Sequence, residues 1–238
     1  MAASAGNGES LHEVVCLVDV DNTLLDNDWV AGDLKAHLEE AFGAKSAAAY
    51  WDIFEELRSE LGYADYLGAL QRYRVKHVRD PHLLAISLFL VNYPFADRLY
   101  PGALEVIRWL QSAGPTVILS DGDVVFQPHK VERSGLWEAV QGKVLIYIHK
   151  EEMLEDVEDR YPARHYVMVD DKLRILAAMK QVWGQRLTTI FVRQGHYAHD
   201  PEILRSSPAA DLTIERIDEL TNYDFATIFA AARPAGAR

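Results

Sequence analysis

The chain has 238 residues, with 24 Lys and Arg against 36 Asp and Glu, and a formal charge of −12. That length holds one large domain, or a domain with a smaller one inserted, and 49% hydrophobic residues supply ample core. The acidic balance excludes the basic footprint that nucleic acid polymers or an anionic membrane surface require. The single cysteine, Cys16, excludes a disulfide framework and a four-thiolate zinc site, and fits a reducing, cytoplasmic setting. Met1–Ser10 is small and polar, without the basic and apolar regions of a signal peptide. We read 1–11 and 231–238 as disordered tails.

Val14–Asp19 (VVCLVD) is a continuously apolar, β-branched run, as expected of a strand buried on both faces of a parallel sheet. Similar runs recur at Thr116–Ser120, Val144–Ile148, His165–Asp170, Thr188–Val192 and Leu212–Ile214. Helical patterns separate them at Gly102–Gln111, Val124–Ser134, Lys150–Arg160, Leu173–Val182 and Ile217–Ala231. Strand–helix alternation with short links predicts an α/β fold, a three-layer doubly wound parallel sheet with right-handed crossovers. The alternation fails at 28–98, which reads as helices throughout: Gly32–Phe42, Ser46–Leu61, Tyr63–Arg74 and Pro81–Val91. A crossover needs only about a dozen residues, so this stretch is an inserted α-helical subdomain. The expected catalytic core is 12–27 with 99–230. The longest nearly apolar run, Leu83–Val91, is about half a membrane span.

Ligands of an open parallel sheet collect at the carboxyl ends of its strands. There stand Asp19-Val20-Asp21-Asn22-Thr23, Ser120-Asp121-Gly122-Asp123, His149-Lys150 and Asp170-Asp171-Lys172. Carboxylates crowded at one edge require a cation or protons, and hard oxygen ligands suit Mg²⁺ better than zinc. A strand-end carboxylate can also act as a nucleophile toward phosphorus. That chemistry needs a charge-offsetting metal, a proton donor and cationic or hydroxyl contacts.

These four segments resemble the motifs of the haloacid dehalogenase superfamily: Asp19-x-Asp21-x-Thr23, then Ser120, Lys150 and the Asp170-Asp171 pair, in order and after the expected strands. The resemblance covers roughly 14–215 and implies a Rossmann-like core, with 28–98 as the helical cap inserted after the first motif. It implies Asp19 as nucleophile and Asp21 as general acid and base. Asp19, Asp170, Asp171 and the carbonyl of Asp21 would hold Mg²⁺. Ser120 and Lys150 would contact the phosphoryl group, with Asp121 beside them at the phosphate-binding edge, and Thr23 would steady the loop. Dehalogenases of this family lack an acid two positions after the nucleophile, because a halide leaves without a proton. Asp21 therefore favours phosphate-ester hydrolysis, with 2-haloacid dehalogenase, phosphomutase and a non-catalytic ligand-binding member as alternatives. The resemblance implies a small phosphorylated substrate and a monomer or homodimer.

Other residues have plainer readings. Lys130 is expected on the surface of its helix. Asp26 and Asp28 are expected to cap the first helix of the insert, and Asp121 and Asp123 to turn away or cap. Cys16 is expected to be inert packing, and His196 and His199 not to bind metal. The aromatics of the insert are read as packing. Arg72, Arg74, Lys76 and Arg79 form a basic cluster that suits either a second anionic group of the substrate or plain surface charge.

Overall fold

The computed structural model describes residues 10–231. The expected tails fall outside this range except Ser10, Leu11 and Ala231, and Ala231 closes the last helix. Six parallel strands, β1 His12–Val18, β2 Thr116–Asp121, β3 Val144–Tyr147, β4 Ala163–Asp170, β5 Leu187–Val192 and β6 Leu212–Ile214, form one sheet in the order β3-β2-β1-β4-β5-β6. The order reverses at β1, which lies between β2 and β4. This is the switch point at which a doubly wound sheet opens a crevice at its carboxyl edge.

Alternation along β1 sorts the core into two layers. Cys16 and Val18 join the cluster on one face, while Val15 and Leu17 join the other. The first layer includes α5 (Ala103–Leu110) and α6 (Phe126–Arg133), and the second α8 (Leu154–Arg160) and α9 (Leu173–Trp183). Burial on both faces explains why β1 reads as a continuous apolar run rather than an alternating one. Cys16 is fully buried; burial pushes its thiol up to about 12, so it is an inert packing residue.

Four helices follow β1: α1 Asn27–Phe42, α2 Ala44–Leu61, α3 Tyr66–Lys76 and α4 Leu83–Val91. Each has a buried stripe at helical spacing, such as Val30, Leu34 and Leu38 in α1, and the stripes pack on one another. The chain leaves and re-enters the sheet layer at one place. There the Asp26 amide donates to Arg98 O, the Tyr100 amide donates to Leu24 O, and Leu25 bridges Leu99 in antiparallel fashion. Asp26 caps α1 by accepting from the Trp29 amide at 2.9 Å. Asp28 does not cap: it accepts from Asn22 Nδ2 at 3.0 Å and from the His196 amide at 2.7 Å, tying α1 to the loops after β1 and β5.

Two expected helices are broken. Lys150–Glu152 is a single 3-10 turn, and α8 begins only at Leu154. Likewise 217–231 divides into a 3-10 segment, Ile217–Asn222, and α11, Phe225–Ala231. Two short helices carried no readable pattern, α7 Leu136–Ala139 and α10 Pro201–Ser206. Among the described residues no helix is long and apolar enough to cross a membrane.

Candidate active site

The carboxyl ends of β1, β2 and β4 and the loop after β3 bring the four sequence motifs together. Asp19 follows β1 and is 3% exposed, and its amide donates to Val169 O at 3.0 Å. Its Oδ1 accepts from Lys150 Nζ at 2.5 Å and its Oδ2 from Thr23 Oγ1 at 3.3 Å. Lys150 Nζ also meets Asp170 Oδ2 at 2.7 Å and donates to Leu119 O at 3.1 Å. The break at Met153 accompanies this placement, since Lys150 opens a separate turn with its side chain directed under the sheet edge.

Asp170 Oδ1 accepts from the Lys172 amide at 2.8 Å, which fixes the turn into α9. Ligand oxygens of Asp19, Asp170 and Asp171 lie within 4.8 Å of one another, and all three residues are buried. Neither oxygen of Asp171 has a hydrogen-bond partner among the described residues. Burial pushes the Asp170 carboxyl up to about 6, against the opposing pull of Lys150, and burial likewise holds Asp171 well above the usual carboxylate range. Burial works to lower the pKa of Lys150, but Asp170, Asp19 and Asp121 outweigh it, so the pKa is raised and the ammonium persists. The three buried carboxylates are offset only in part by Lys150 and Lys172, which leaves negative charge uncompensated. Their all-oxygen donor set fits a hard divalent cation.

On the other side stands Asp21. Lys130 Nζ donates to both its carboxylate oxygens at 2.7 and 2.9 Å, and to Asn27 Oδ1 at 3.0 Å. The expected surface position of Lys130 is therefore wrong: the residue is 1% exposed. A signal existed, because Phe126, Gln127, Lys130 and Val131 share the buried face of α6. Gln127 was also missed; its Nε2 donates to Ser120 Oγ at 3.0 Å and lies 3.4 Å from Asp21 Oδ2. Ser120 is buried at the end of β2. Asp121 does not simply turn away. Its Oδ1 accepts from the Lys150 amide at 2.8 Å, and burial raises its pKa. Asp123 is not the cap residue of α6, which is Val125, but its Oδ1 holds the turn into the helix by accepting from the amides of Val125 and Phe126 at 2.8 and 2.7 Å.

A cavity of about 870 Å³ opens between this edge and the helical insert. Trp51, Phe54, Tyr63 and Tyr66 of the insert line it, so these aromatics form a wall as well as packing. Arg72, Arg74, Lys76 and Arg79 are exposed and do not line it; they are surface charge. His196 pairs with Asp28 at 2.6 Å rather than with His199.

Sheet order, strand-end carboxylates and intervening helices together define a doubly wound α/β protein with an acidic site at its carboxyl edge. The profile of the haloacid dehalogenase-like hydrolases matches residues 14–182, and the chain belongs to that family. It is similar to a solved haloacid dehalogenase-like hydrolase from Burkholderia xenovorans LB400, at 65% identity over 91% of this chain and 98% of that one, with a TM-score of 0.87. More distant folds include the magnesium-bound HAD-hydrolase YfnB from Bacillus subtilis, at 18% identity over 90% of this chain and 98% of that one, with a TM-score of 0.57. L-2-haloacid dehalogenase from Xanthobacter autotrophicus with chloropropionic acid covalently bound stands at 16% identity, 89% and 98% coverage, and a TM-score of 0.57. No curated protein matches the sequence.

Proposed function

We propose that the chain is a Mg²⁺-dependent phosphohydrolase acting on small phosphate monoesters, with the phosphoryl group carried on Asp19. The observation that supports this most is Asp21, held by Lys130 and within reach of Gln127 beside the buried Asp19–Asp170–Asp171 cluster. Halide departure has no use for an acid at that position, whereas an alkoxide leaving group requires one.

In this reading Asp19, Asp170 and Asp171, with the carbonyl of Asp21, would hold Mg²⁺, which would offset negative charge on the phosphoryl group and its neighbours. An Asp19 carboxylate oxygen attacks phosphorus, the bond from phosphorus to the ester oxygen breaks, and Asp21 gives that oxygen its proton. Water then attacks phosphorus, Asp21 takes the water's proton, and the Asp19–phosphorus bond breaks to release phosphate. Ser120, held by Gln127, donates to a phosphoryl oxygen. Lys150 holds Asp19 in its attacking orientation and counters its charge, with Asp121 fixing the Lys150 backbone. Residues 28–98 act as a cap whose aromatic wall excludes water from the reacting atoms.

The test is phosphate release from a panel of phosphate monoesters with Mg²⁺. Turnover should vanish in chelator and fall below one-hundredth in Asp19→Asn, whose amide is not a nucleophile. Release of chloride from a 2-haloacid in chelator, with no phosphate released from any ester, would show the dehalogenase chemistry instead.

A further inference from the structure

The lysines that approach the reacting edge differ in what their ammonium groups already hold. An ammonium has three donors and no acceptor. Those of Lys150 serve Asp19 Oδ1 and Leu119 O, at 2.5 and 3.1 Å, and its Nζ pairs with Asp170 Oδ2 at 2.7 Å. Those of Lys130 are committed to the two oxygens of Asp21 and to Asn27 Oδ1, at 2.7, 2.9 and 3.0 Å. Lys172 differs. It lines the cavity between β4 and α9, and its Nζ stands 5.7 Å from the centroid of the Tyr197 ring. Its Nζ makes no hydrogen bond among the described residues; burial works to lower its pKa, but the charges of Asp171, Asp19 and Asp170 outweigh that and raise it.

Tyr197 carries a second cation. Arg58, reaching from α2 on the opposite wall, donates from Nη1 to the Tyr197 hydroxyl at 3.1 Å. Its Nη2 meets Glu55 at 3.0 Å, which leaves further guanidinium donors available. A lysine from the core and an arginine from the insert thus flank one aromatic ring, one over its face and one at its hydroxyl. Both line the same cavity, in a chain whose formal charge is −12. In so acidic a protein, two cations with spare donors facing a cavity form a local anion-attracting wall.

We propose that Lys172 and Arg58, arranged around Tyr197, form a second anion-binding subsite. It selects phosphate monoesters that carry another carboxylate or phosphate group away from the reacting phosphoryl. This rests on the phosphohydrolase reading for the reacting group, and it assigns to the wall of the cavity a specificity role that the four motifs do not contain.

Calorimetry on the Asp19→Asn chain with Mg²⁺ tests it, using two ligand pairs of different span. These are 3-phosphoglycerate against glycerol 3-phosphate, and fructose 1,6-bisphosphate against fructose 6-phosphate. The member with the additional anion should bind at least tenfold more tightly in one pair. Lys172→Met and Arg58→Met should each weaken that member at least fivefold and its partner less than twofold, while Lys172→Arg should retain the preference. Arg58 has a 41% exposed side chain and supplies the test if Lys172→Met does not fold. Equal affinities within both pairs, no binding of any of the four compounds, or equal losses for both members of the preferred pair would overturn the subsite. If the unsubstituted chain releases no phosphate from any of them or from the wider panel of monoesters, the phosphohydrolase reading fails, while the binding preference still decides the subsite.

Discussion

Lys130 grips Asp21 across the site, donating to both carboxylate oxygens at 2.7 and 2.9 Å from a side chain that is 2% exposed. A third bond to Asn27 joins the pair to the first residue of α1. The acid proposed for the leaving group is therefore oriented by the core helix α6 and by the entry to the insert together. Lys130→Met keeps the length of the side chain and removes all three donors. Asp21 would then be free to rotate, and kcat should fall about 10²-fold, the lower end of what a placed acid contributes. KM should change far less. Measured phosphate release that stays within twofold of the parent would show that Asp21 needs no such anchor.

Asp171 gives a prediction of opposite sign for stability and function. Both its oxygens are buried without a hydrogen-bond partner among the described residues; burial raises its pKa, the charge of Lys172 opposes this, and Asp170 and Asp19 add like charge beside it. A buried carboxyl group without hydrogen bonds costs stability in the metal-free chain, whether it is held protonated or only partly offset by Lys172 and Lys150. Asp171→Asn should raise the melting temperature measured in chelator by about 2–4 °C for each kcal/mol relieved. The same variant should lose the upward shift that Mg²⁺ gives the parent, because a ligand that binds only the folded state stabilises it. A melting temperature in chelator lower than that of the parent would mean that Asp171 is satisfied without a cation.

Gly195 is constrained by close approach. Its φ is +70°, and a Cβ there would lie 2.5 Å from Cβ and Cγ of Asn22. Asn22 in turn accepts from the amides of Asn27 and Asp28, at 3.0 and 3.2 Å, and so fixes the start of α1 beside the nucleophile loop. Gly195→Ala meets both a left-handed backbone, costing about 1–2 kcal/mol, and a clash with a residue that cannot easily yield. The variant should melt several degrees lower and lose activity as the nucleophile loop shifts. An unchanged melting temperature would show that the two loops separate freely.

The parallel sheet and the motif residues were legible because each depends on local pattern. Val14–Asp19 is apolar on both faces since both faces are covered, and Asp19, Ser120, Lys150 and Asp170 end or follow strands whose runs are plain in the sequence. The partners of those residues were not legible, because they depend on where a long side chain turns. Lys130 lies ten positions beyond Ser120 on a helix, and only its place among Phe126, Gln127 and Val131 marks it as inward-facing. Asp28 resembles a helix cap in sequence, yet its oxygens serve Asn22 and His196, the latter 168 positions away. The wall formed by Arg58 and Lys172 joins a helix of the insert to a turn of the core, and no single segment contains it.

His165 carries the pH dependence of the fold away from the site. It sits in β4 with Nε2 2.8 Å from Thr188 Oγ1 and its ring 5.4 Å from that of Phe229. Burial, and then the positive charges of Lys180 and Arg186, lower its pKa below the ordinary 6.5, with Asp211 opposing. The unfolded chain consequently binds a proton at His165 more readily than the folded one. Its contribution to stability is complete above about pH 6.5 and is lost as the pH falls from there through the lowered folded value. His165→Gln removes the titrating group, so the decline in urea midpoint between pH 7.5 and 5.5 should be shallower in the variant than in the parent. The site carboxylates move the other way over part of this range, since Asp170 is pushed up to about 6, and the comparison is therefore made between parent and variant at each pH. Parallel declines in the two proteins would place the acid sensitivity elsewhere.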